Sequence, residues 1–289
     1  MQNPKYVNVE GVRTRYYEGG SGSPLVLIHG GRFGNFYSAD HWSLNFAELC
    51  ASFHVYAFDK LGQGFTDNPK SDADYTMKAV IAHAYGFMRD LGIEGATLIG
   101  HSRGALPAAR IAVDHPEMVK GLVILVSSTL AADDPCVPMD FYSKLEENAP
   151  AVADREYVSR EAVANSFSRD HVTDDFVEAM LRIALLPKTL EAKKRLPHVF
   201  EARFLPDVRK TKYETLDLLR DRGLKVPTLL IWGLNDISAP IKIGLDLFHL
   251  IGSAVDRAEF HALNRSGHYT FRERAPEVNR LVASFVGGL

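Results

Sequence analysis

Short apolar runs alternate along most of the chain with stretches in which apolar residues recur at helical spacing. The runs lie at 25–28, 54–59, 96–99, 122–126 and 228–232. A strand that is buried on both faces of a sheet has such a continuous apolar sequence. Between two of these runs, the segment 77–91 places its apolar side chains on one side of a helix. This alternation predicts an α/β fold with a mostly parallel, doubly wound sheet.

Other parts of the chain extend the pattern. Residues 5–9 and 12–17 alternate polar and apolar positions around Glu10-Gly11, which predicts a β-hairpin. The remaining expected elements are helices over 42–51, 103–115 and 275–286 and a strand over 256–261.

The segment 131–215 has a different character from the rest of the chain. It contains no apolar run of the strand type, is rich in charged residues and is marked by prolines. Because the strand–helix pattern resumes at 228, we expect a helical insertion over the sheet rather than a second independent domain. The expected parts are an α/β core, 1–130 with 216–289, and a helical lid, 131–215.

Composition excludes several classes of protein. A formal net charge of -3 disfavours nucleic acid or an anionic membrane as a partner. No apolar stretch approaches the roughly 18 residues of a membrane-spanning helix, and the N-terminal residues do not resemble a signal peptide. The two cysteines, Cys50 and Cys136, lack metal-binding spacing, which favours free thiols in a reducing cytoplasm. We therefore expect a cytoplasmic protein with a small-molecule substrate, and the sequence leaves a homodimer open.

No motif indicates a metal or a cofactor. Paired cysteines and the H-E-x-x-H pattern are both absent from the sequence. The glycines at 62–67 resemble a nucleotide-binding loop, but no helix with the required glycine spacing follows them, so we interpret this stretch as a turn.

The clearest chemical signal is Gly100-His101-Ser102-Arg103-Gly104, which matches G-x-S-x-G between a predicted strand and a predicted helix. A serine on so sharp a turn has a strained backbone, and its hydroxyl points away from the sheet. The two glycines allow strand and helix to pass closely. The sequence therefore predicts Ser102 as a nucleophile, which at neutral pH needs an adjacent base.

His268 and Asp236 are the expected base and acid. His268 follows the last predicted strand, and Asp236 follows the strand at 228–232. Loops after parallel strands meet at the edge of the sheet where ligands bind, so both side chains are expected near Ser102. The alternatives are a hydrogen-bonded loop histidine and a turn-capping aspartate. The other residues considered for these roles are His54, His83, His115, His171, His198 and His249, with Asp133 and Asp134 as rival acids.

An oxyanion formed at the reacting carbonyl needs two hydrogen-bond donors. One is expected from the backbone N–H of Arg103, directly after the serine. The other is expected from the loop after the strand at 25–28, with Gly31 as the first choice and Gly30 as the second. The same loop offers walls for an apolar substrate pocket, namely Phe33, Phe36, Tyr37 and Trp42. The further residues expected to line this pocket are Arg32, His101, Met180 and Tyr269.

Five motifs together resemble the α/β-hydrolase family over nearly the whole chain. They are His29-Gly30-Gly31, Asp59-Lys60-Leu61-Gly62-Gln63-Gly64, the serine motif at 100–104, Gly233-Leu234-Asn235-Asp236 and Gly267-His268. The order serine, aspartate, histidine is the one this fold uses. Within the family the chain looks most similar to the hydrolases of meta-cleavage products. This resemblance implies a serine hydrolase that cuts a carbon–carbon bond in 2-hydroxy-6-oxo-dienoates during aromatic catabolism.

Three positions depart from what this resemblance implies. His101 stands where those enzymes usually carry asparagine, Met180 where a lid arginine grips the substrate carboxylate, and Tyr269 where tryptophan is common. The missing positive charge could come from Arg182, Arg32 or Arg103. The alternatives are a solvated lid face for Arg182 and an ion pair with Asp59 for Arg103.

Other functions stay open at this point. Without a carboxylate clamp, a carboxylesterase or lactonase is comparable to a carbon–carbon bond hydrolase. A cofactor-free perhydrolase and a non-catalytic ligand receptor on the same fold are further alternatives. A serine at position 102 argues against the relatives of this fold that attack with an aspartate.

Overall fold

The structure, a computed structural model, describes residues 1–131, 139–253 and 255–289. Cys136 and the rival acids Asp133 and Asp134 lie outside the described residues. Within these ranges one eight-stranded sheet has the order β1-β2-β4-β3-β5-β6-β7-β8. Its strands are β1 (Lys5–Val9), β2 (Val12–Gly19), β3 (Pro24–Ile28), β4 (His54–Phe58), β5 (Ala96–His101), β6 (Val119–Leu125), β7 (Thr228–Gly233) and β8 (Ala258–Leu263).

The predicted α/β fold with a mostly parallel sheet is confirmed. The hairpin β1–β2 is antiparallel, and β2 pairs antiparallel with β4. The remaining strands in the sheet, in the order β4-β3-β5-β6-β7-β8, are all parallel. Ile28 at the end of β3 pairs with Gly100 of β5, and His101 pairs with Leu125 of β6. The loops after these strands, and those after β7 and β8, therefore open at the same edge of the sheet.

Helices cover the sheet and fill the segment between β6 and β7. They are α1 (Phe46–Cys50), α2 (Met77–Asp90), α3 (Ala105–Asp114), α4 (Met139–Glu146), α5 (Arg155–Ala164), α6 (Asp174–Ala184), α7 (Pro187–Val199), α8 (Leu205–Arg222), α9 (Ile241–Gly252), α10 (Thr270–Glu273) and α11 (Ala275–Gly287). Helix α2 agrees with the pattern at 77–91, and Thr76 caps its start by accepting the Ala79 N–H. In the described residues, no helix is both long enough and apolar enough to cross a bilayer.

The single helix expected over 42–51 is wrong. A 3-10 turn, Ala39–Trp42, precedes α1 instead, because the Ser38 hydroxyl accepts the Asp40 N–H and starts a turn upstream of the apolar pattern. Asn45 then separates the two elements. Its side chain bonds to the carbonyl of Phe271 and to Asn279 in the C-terminal part of the chain.

Within the described part of 131–215 the regular elements are all helical, as the absence of strand-type runs predicts. The boundary at 215 falls inside α8, which packs against α2 and α3 of the core. A five-residue π-helical turn, Phe200–Phe204, joins α7 to α8 after a proline in α7, Pro197. Pro197 lacks an N–H for the regular helical ladder, which favours such an irregularity.

Candidate active site

Ser102 lies where β5 ends and the helical turn before α3 begins, and its backbone φ is 51°, in the left-handed region. The flanking glycines are required by close backbone contacts. A Cβ on Gly104 would lie 2.3 Å from the carbonyl oxygen of Ile28, and one on Gly100 would lie 2.6 Å from the Ala105 Cα. The Ser127 hydroxyl donates to the Ser102 carbonyl at 2.8 Å, which holds the strained turn in place.

His268 and Asp236 form a buried hydrogen-bonded pair. The imidazole Nδ1 lies 2.7 Å from Asp236 Oδ2. The other carboxylate oxygen, Oδ1, accepts the backbone N–H groups of Ser238 and Ala239, both at 2.8 Å. Asp236 therefore caps its turn with one oxygen and faces the histidine with the other. Because the carboxylate keeps the proton on Nδ1, Nε2 is the nitrogen free to accept a proton.

Two opposing influences act on the pKa of His268. Burial is the largest and lowers the pKa of the imidazole, but the charge of Asp236 and its hydrogen bond outweigh burial. The nearby carboxylate of Glu161 adds to the upward effect, so the pKa of His268 is raised above its usual 6.5.

His101 joins the serine turn to the loop of His268. Its Nε2 donates to the His268 backbone carbonyl at 3.0 Å, and the two rings are 4.9 Å apart. A Cβ on Gly30 would lie 3.1 Å from both His101 Nδ1 and Ser102 Cβ. Burial, with the neighbouring His268, holds the pKa of His101 well below its usual value, so this side chain is neutral. His101 thus links the loops that carry Ser102, His268 and Gly30 at one edge of the sheet.

The loop after β3 is fixed by His29. The His29 Nε2 accepts the Lys60 backbone N–H (3.1 Å), and Nδ1 donates to the Gly30 carbonyl (2.8 Å). Gly31 has φ +78°, and a Cβ there would lie 2.5 Å from the ring of Tyr37. These contacts explain why the loop needs glycine at 31. The use of the Gly31, Gly30 and Arg103 N–H groups as oxyanion donors stays a prediction.

The alternative interpretation of Arg103, an ion pair with Asp59, is wrong. Asp59 is fully buried and bonds to the Arg15 guanidinium through both oxygens, at 2.7 and 3.0 Å. Its carboxylate also accepts the backbone N–H groups of Ala39 and Phe65, each at 2.7 Å. This network satisfies Asp59 without Arg103.

Arg103 and Arg32 place positive charge at the site. Both are partly accessible, and their guanidinium groups lie over the rings of Phe204 (5.6 Å) and Phe200 (4.9 Å) in the π-helical turn. Burial, and secondly the charge of Arg32, lower the pKa of Arg103. The Arg103 Nε is buried without a hydrogen-bond partner among the described residues.

The other predicted pocket residues differ in their surroundings. Arg182 is exposed on α6, so it does not supply the missing charge, and Met180 on the same helix is buried. Phe33 packs between the rings of Tyr75 and Phe204. The remaining members, Phe36, Tyr37, Trp42 and Tyr269, are buried in the core cluster, and their part in a pocket wall stays a prediction.

Glu161 of helix α5 is a site residue that the sequence analysis missed. Its Oε1 accepts the Tyr37 hydroxyl at 2.6 Å, and the Tyr37 and Tyr269 hydroxyls are hydrogen-bonded to each other. Burial raises the pKa of Glu161, although the Tyr37 hydrogen bond and the charges of His268 and Arg103 oppose this shift. No sequence signal separates Glu161 from the other acidic residues of a charged helix.

Comparison with known proteins shows similarity over almost the entire chain. A family model described as the alpha/beta hydrolase fold matches residues 24–275. The 2-hydroxymuconate semialdehyde hydrolase of Pseudomonas sp. (strain CF600) is 31% identical over 279 residues, which cover 96% of this chain and 91% of that protein. The 2-hydroxy-6-oxo-6-(2'-aminophenyl)hexa-2,4-dienoic acid hydrolase of Metapseudomonas resinovorans is 26% identical over 297 residues, 98% of this chain and 90% of that protein.

A solved structure gives the same result. The meta-cleavage product hydrolase of Pseudomonas fluorescens IP01 matches with a TM-score of 0.79 and 27% identity, covering 98% of this chain and 97% of that one. The resemblance that the five sequence motifs carry is therefore confirmed.

Proposed function

Because the chain belongs to the α/β-hydrolase family and is similar to meta-cleavage product hydrolases, we propose that it is a serine hydrolase of 2-hydroxy-6-oxo-dienoates. The observation that carries this proposal is the Asp236–His268 pair at the same sheet edge as the strained Ser102. In this proposal Ser102 is the nucleophile, His268 the general base and then the general acid, and Asp236 orients the imidazole.

The reaction follows from these roles. Ser102 Oγ attacks the ketone carbon while His268 Nε2 takes its proton, and the carbonyl oxygen becomes an oxyanion held by the N–H groups of Arg103 and Gly31. For the bond to break, the substrate first shifts its 2-hydroxyl proton to carbon 5, which gives the 2,6-dioxo form. Collapse of the intermediate on this form breaks the bond between carbons 5 and 6, and the 2-oxo group takes up the electron pair as a dienolate. The dienolate then takes the proton from His268, and the acyl group stays on Ser102. A water molecule, deprotonated by His268, then releases the acid and restores the serine hydroxyl.

We assign the substrate carboxylate to Arg103 and Arg32. Arg103 follows the nucleophile directly, and Arg32 follows Gly31, so both guanidinium groups extend from the loops that would hold the oxyanion. Among the described residues neither guanidinium has a carboxylate within ion-pair distance, and a guanidinium binds a carboxylate in bidentate geometry. The side chains proposed to bind the substrate carboxylate therefore belong to the core and not to the lid.

A second candidate is a carboxylesterase or lactonase. The observation that favours it is the buried, uncharged Met180 at the position where the resemblance implies a lid arginine. One experiment separates the two functions: parallel assays on a short-chain aryl ester and a 2-hydroxy-6-oxo-dienoate. We expect a higher kcat/KM for the dienoate. Turnover of the ester alone would favour the esterase function over carbon–carbon bond hydrolysis. Unchanged turnover by Ser102→Ala would overturn the proposed triad.

The setting of the enzyme is also a proposal. Cys50 is a free, half-buried thiol, which supports a reducing cytoplasmic environment. We further propose that the described part of 131–204 forms the lid and that α8 belongs to the core, since α8 packs on α2 and α3. The outer strand β8 leaves one sheet edge where a second copy could associate as a homodimer. Light scattering of the purified protein tests the homodimer.

A further inference from the structure

Asn165 directly follows the helix α5 and contacts the loops that carry His268 and Asp236. Its backbone carbonyl accepts the His268 N–H at 2.8 Å, and its side-chain Nδ2 donates to Ser238 Oγ at 2.8 Å. Asn165 and Ser238 are both fully buried. The segment after α5 thus reaches the catalytic pair through directed hydrogen bonds as well as through packing.

Ser238 lies between the two members of this pair. Its Oγ is 3.1 Å from Asp236 Oδ1 and 3.1 Å from His268 Nδ1. A hydroxyl has one proton to donate and two lone pairs, and an ionised carboxylate can only accept. The Ser238 proton therefore goes to Asp236, and its lone pairs accept from His268 Nδ1–H and from Asn165 Nδ2–H. The Tyr142 side chain is a further hydrogen-bonding partner of this hydroxyl.

The environment of the Asn165 amide argues against a purely stabilising role. Its Oδ1 is buried without a hydrogen-bond partner among the described residues. A buried, unpaired amide oxygen is unfavourable, so an apolar side chain of similar size would suit the packing better. What the amide provides in return is one hydrogen bond, to Ser238.

We propose that Asn165 is a positioning residue of the active site, which acts through Ser238 to hold the His268 imidazole in line with Asp236. The inference rests on the proposed function, since it assumes that these two side chains serve Ser102. It makes the segment after α5 part of the catalytic apparatus: His268 is aligned fully only when Asn165 is in contact with Ser238.

A double-mutant cycle tests this proposal on whichever of the two assay substrates the wild type turns over faster. The variants are Asn165→Ala, Ser238→Ala and the double variant, with Ser166→Ala as the control. Ser166 is the next residue, and its hydroxyl bonds only to His171 in the described structure. We expect each single variant to lower kcat about 10-fold with KM within about twofold, and the double variant to lower it no further. The control should keep kcat within about twofold of the wild type.

The pH profile and an isosteric variant supply independent readouts. Because Ser238 also bonds to Asp236 and His268 directly, the acid limb of kcat/KM should move in the same direction in Asn165→Ala and Ser238→Ala, and no further in the double variant than in Ser238→Ala. Asn165→Leu keeps nearly the same volume and cannot donate at any pH, so it should lose about as much kcat as Asn165→Ala, even if the alanine variant folds poorly.

Three results would overturn the inference. They are losses that multiply in the double variant, an effect on KM alone, and wild-type kcat in a folded Asn165→Leu variant. A failure of the proposed function looks different, because turnover would then survive Ser102→Ala. An inactive Ser102→Ala together with independent losses at Asn165 and Ser238 would refute only the role of Asn165.

Discussion

Replacing Arg103 by methionine tests how the enzyme recognises a carboxylate. Methionine keeps an unbranched side chain and the backbone N–H assigned to the oxyanion, and it removes the guanidinium above the Phe204 ring. A hydrogen bond between charged partners contributes about 1.5–3 kcal/mol, which corresponds to roughly a 10- to 150-fold change in affinity. Because Arg32 stays beside it, we expect the lower part of this range, about 10- to 50-fold in KM for the dienoate.

The assay compares the dienoate with a neutral aryl ester for the wild type, Arg103→Met and the exposed control Arg182→Met. For the ester we expect kcat/KM of Arg103→Met within about threefold of the wild type, and for the control no change on either substrate. The melting temperature of Arg103→Met should stay equal or rise, because removal of a half-buried cation without a carboxylate partner relieves its desolvation. Equal losses on both substrates, or none on the dienoate, would refute the assigned carboxylate site.

Three further predictions concern the histidine pair. Turnover requires a neutral His268, and the folded protein raises the pKa of this imidazole, so kcat/KM should rise with pH through a pKa above 6.5. An acid limb of this profile centred well below 6.5 would contradict the geometry. In Glu161→Gln the same limb should move to lower pH, since a negative charge that favours the imidazolium is gone, and an unmoved limb would mean that Glu161 does not act on His268. Asp236→Asn should lower kcat by about 10⁴-fold with the fold intact by circular dichroism, and a loss below about 10-fold would exclude it as the orienting acid.

The parts of the site that local backbone geometry dictates could be predicted from the sequence. The serine turn requires glycine at 100 and 104 because strand and helix backbones touch there, so the motif carries its own structure. His268 and Asp236 could be placed because parallel strands end at the same edge of the sheet. Each of these inferences needs only a short stretch of chain or the topology of the sheet.

The parts of the site that depend on contacts between distant segments could not be predicted from the sequence. Asp59 pairs with Arg15, which lies 44 positions away in the chain, and not with Arg103. No local sequence pattern predicts this ion pair. Glu161 and Asn165 lie at the end of a charged helix, where the sequence does not distinguish a buried carboxylate or amide from one that faces solvent. Their partners, Tyr37 and Ser238, come from loops after β3 and β7, so only the folded chain shows the contact.

Covalent labelling by a fluorophosphonate probe tests the central claim most directly. The probe forms a bond only with a serine whose proton is removed by an adjacent base, so it reports the Ser102–His268 pair without any assumption about the substrate. We expect intact-mass analysis to show one probe per wild-type chain, attached at Ser102, with no label on Ser102→Ala and strongly slowed labelling of His268→Ala. A wild-type chain that stays unlabelled, or one labelled at another serine, would contradict the account.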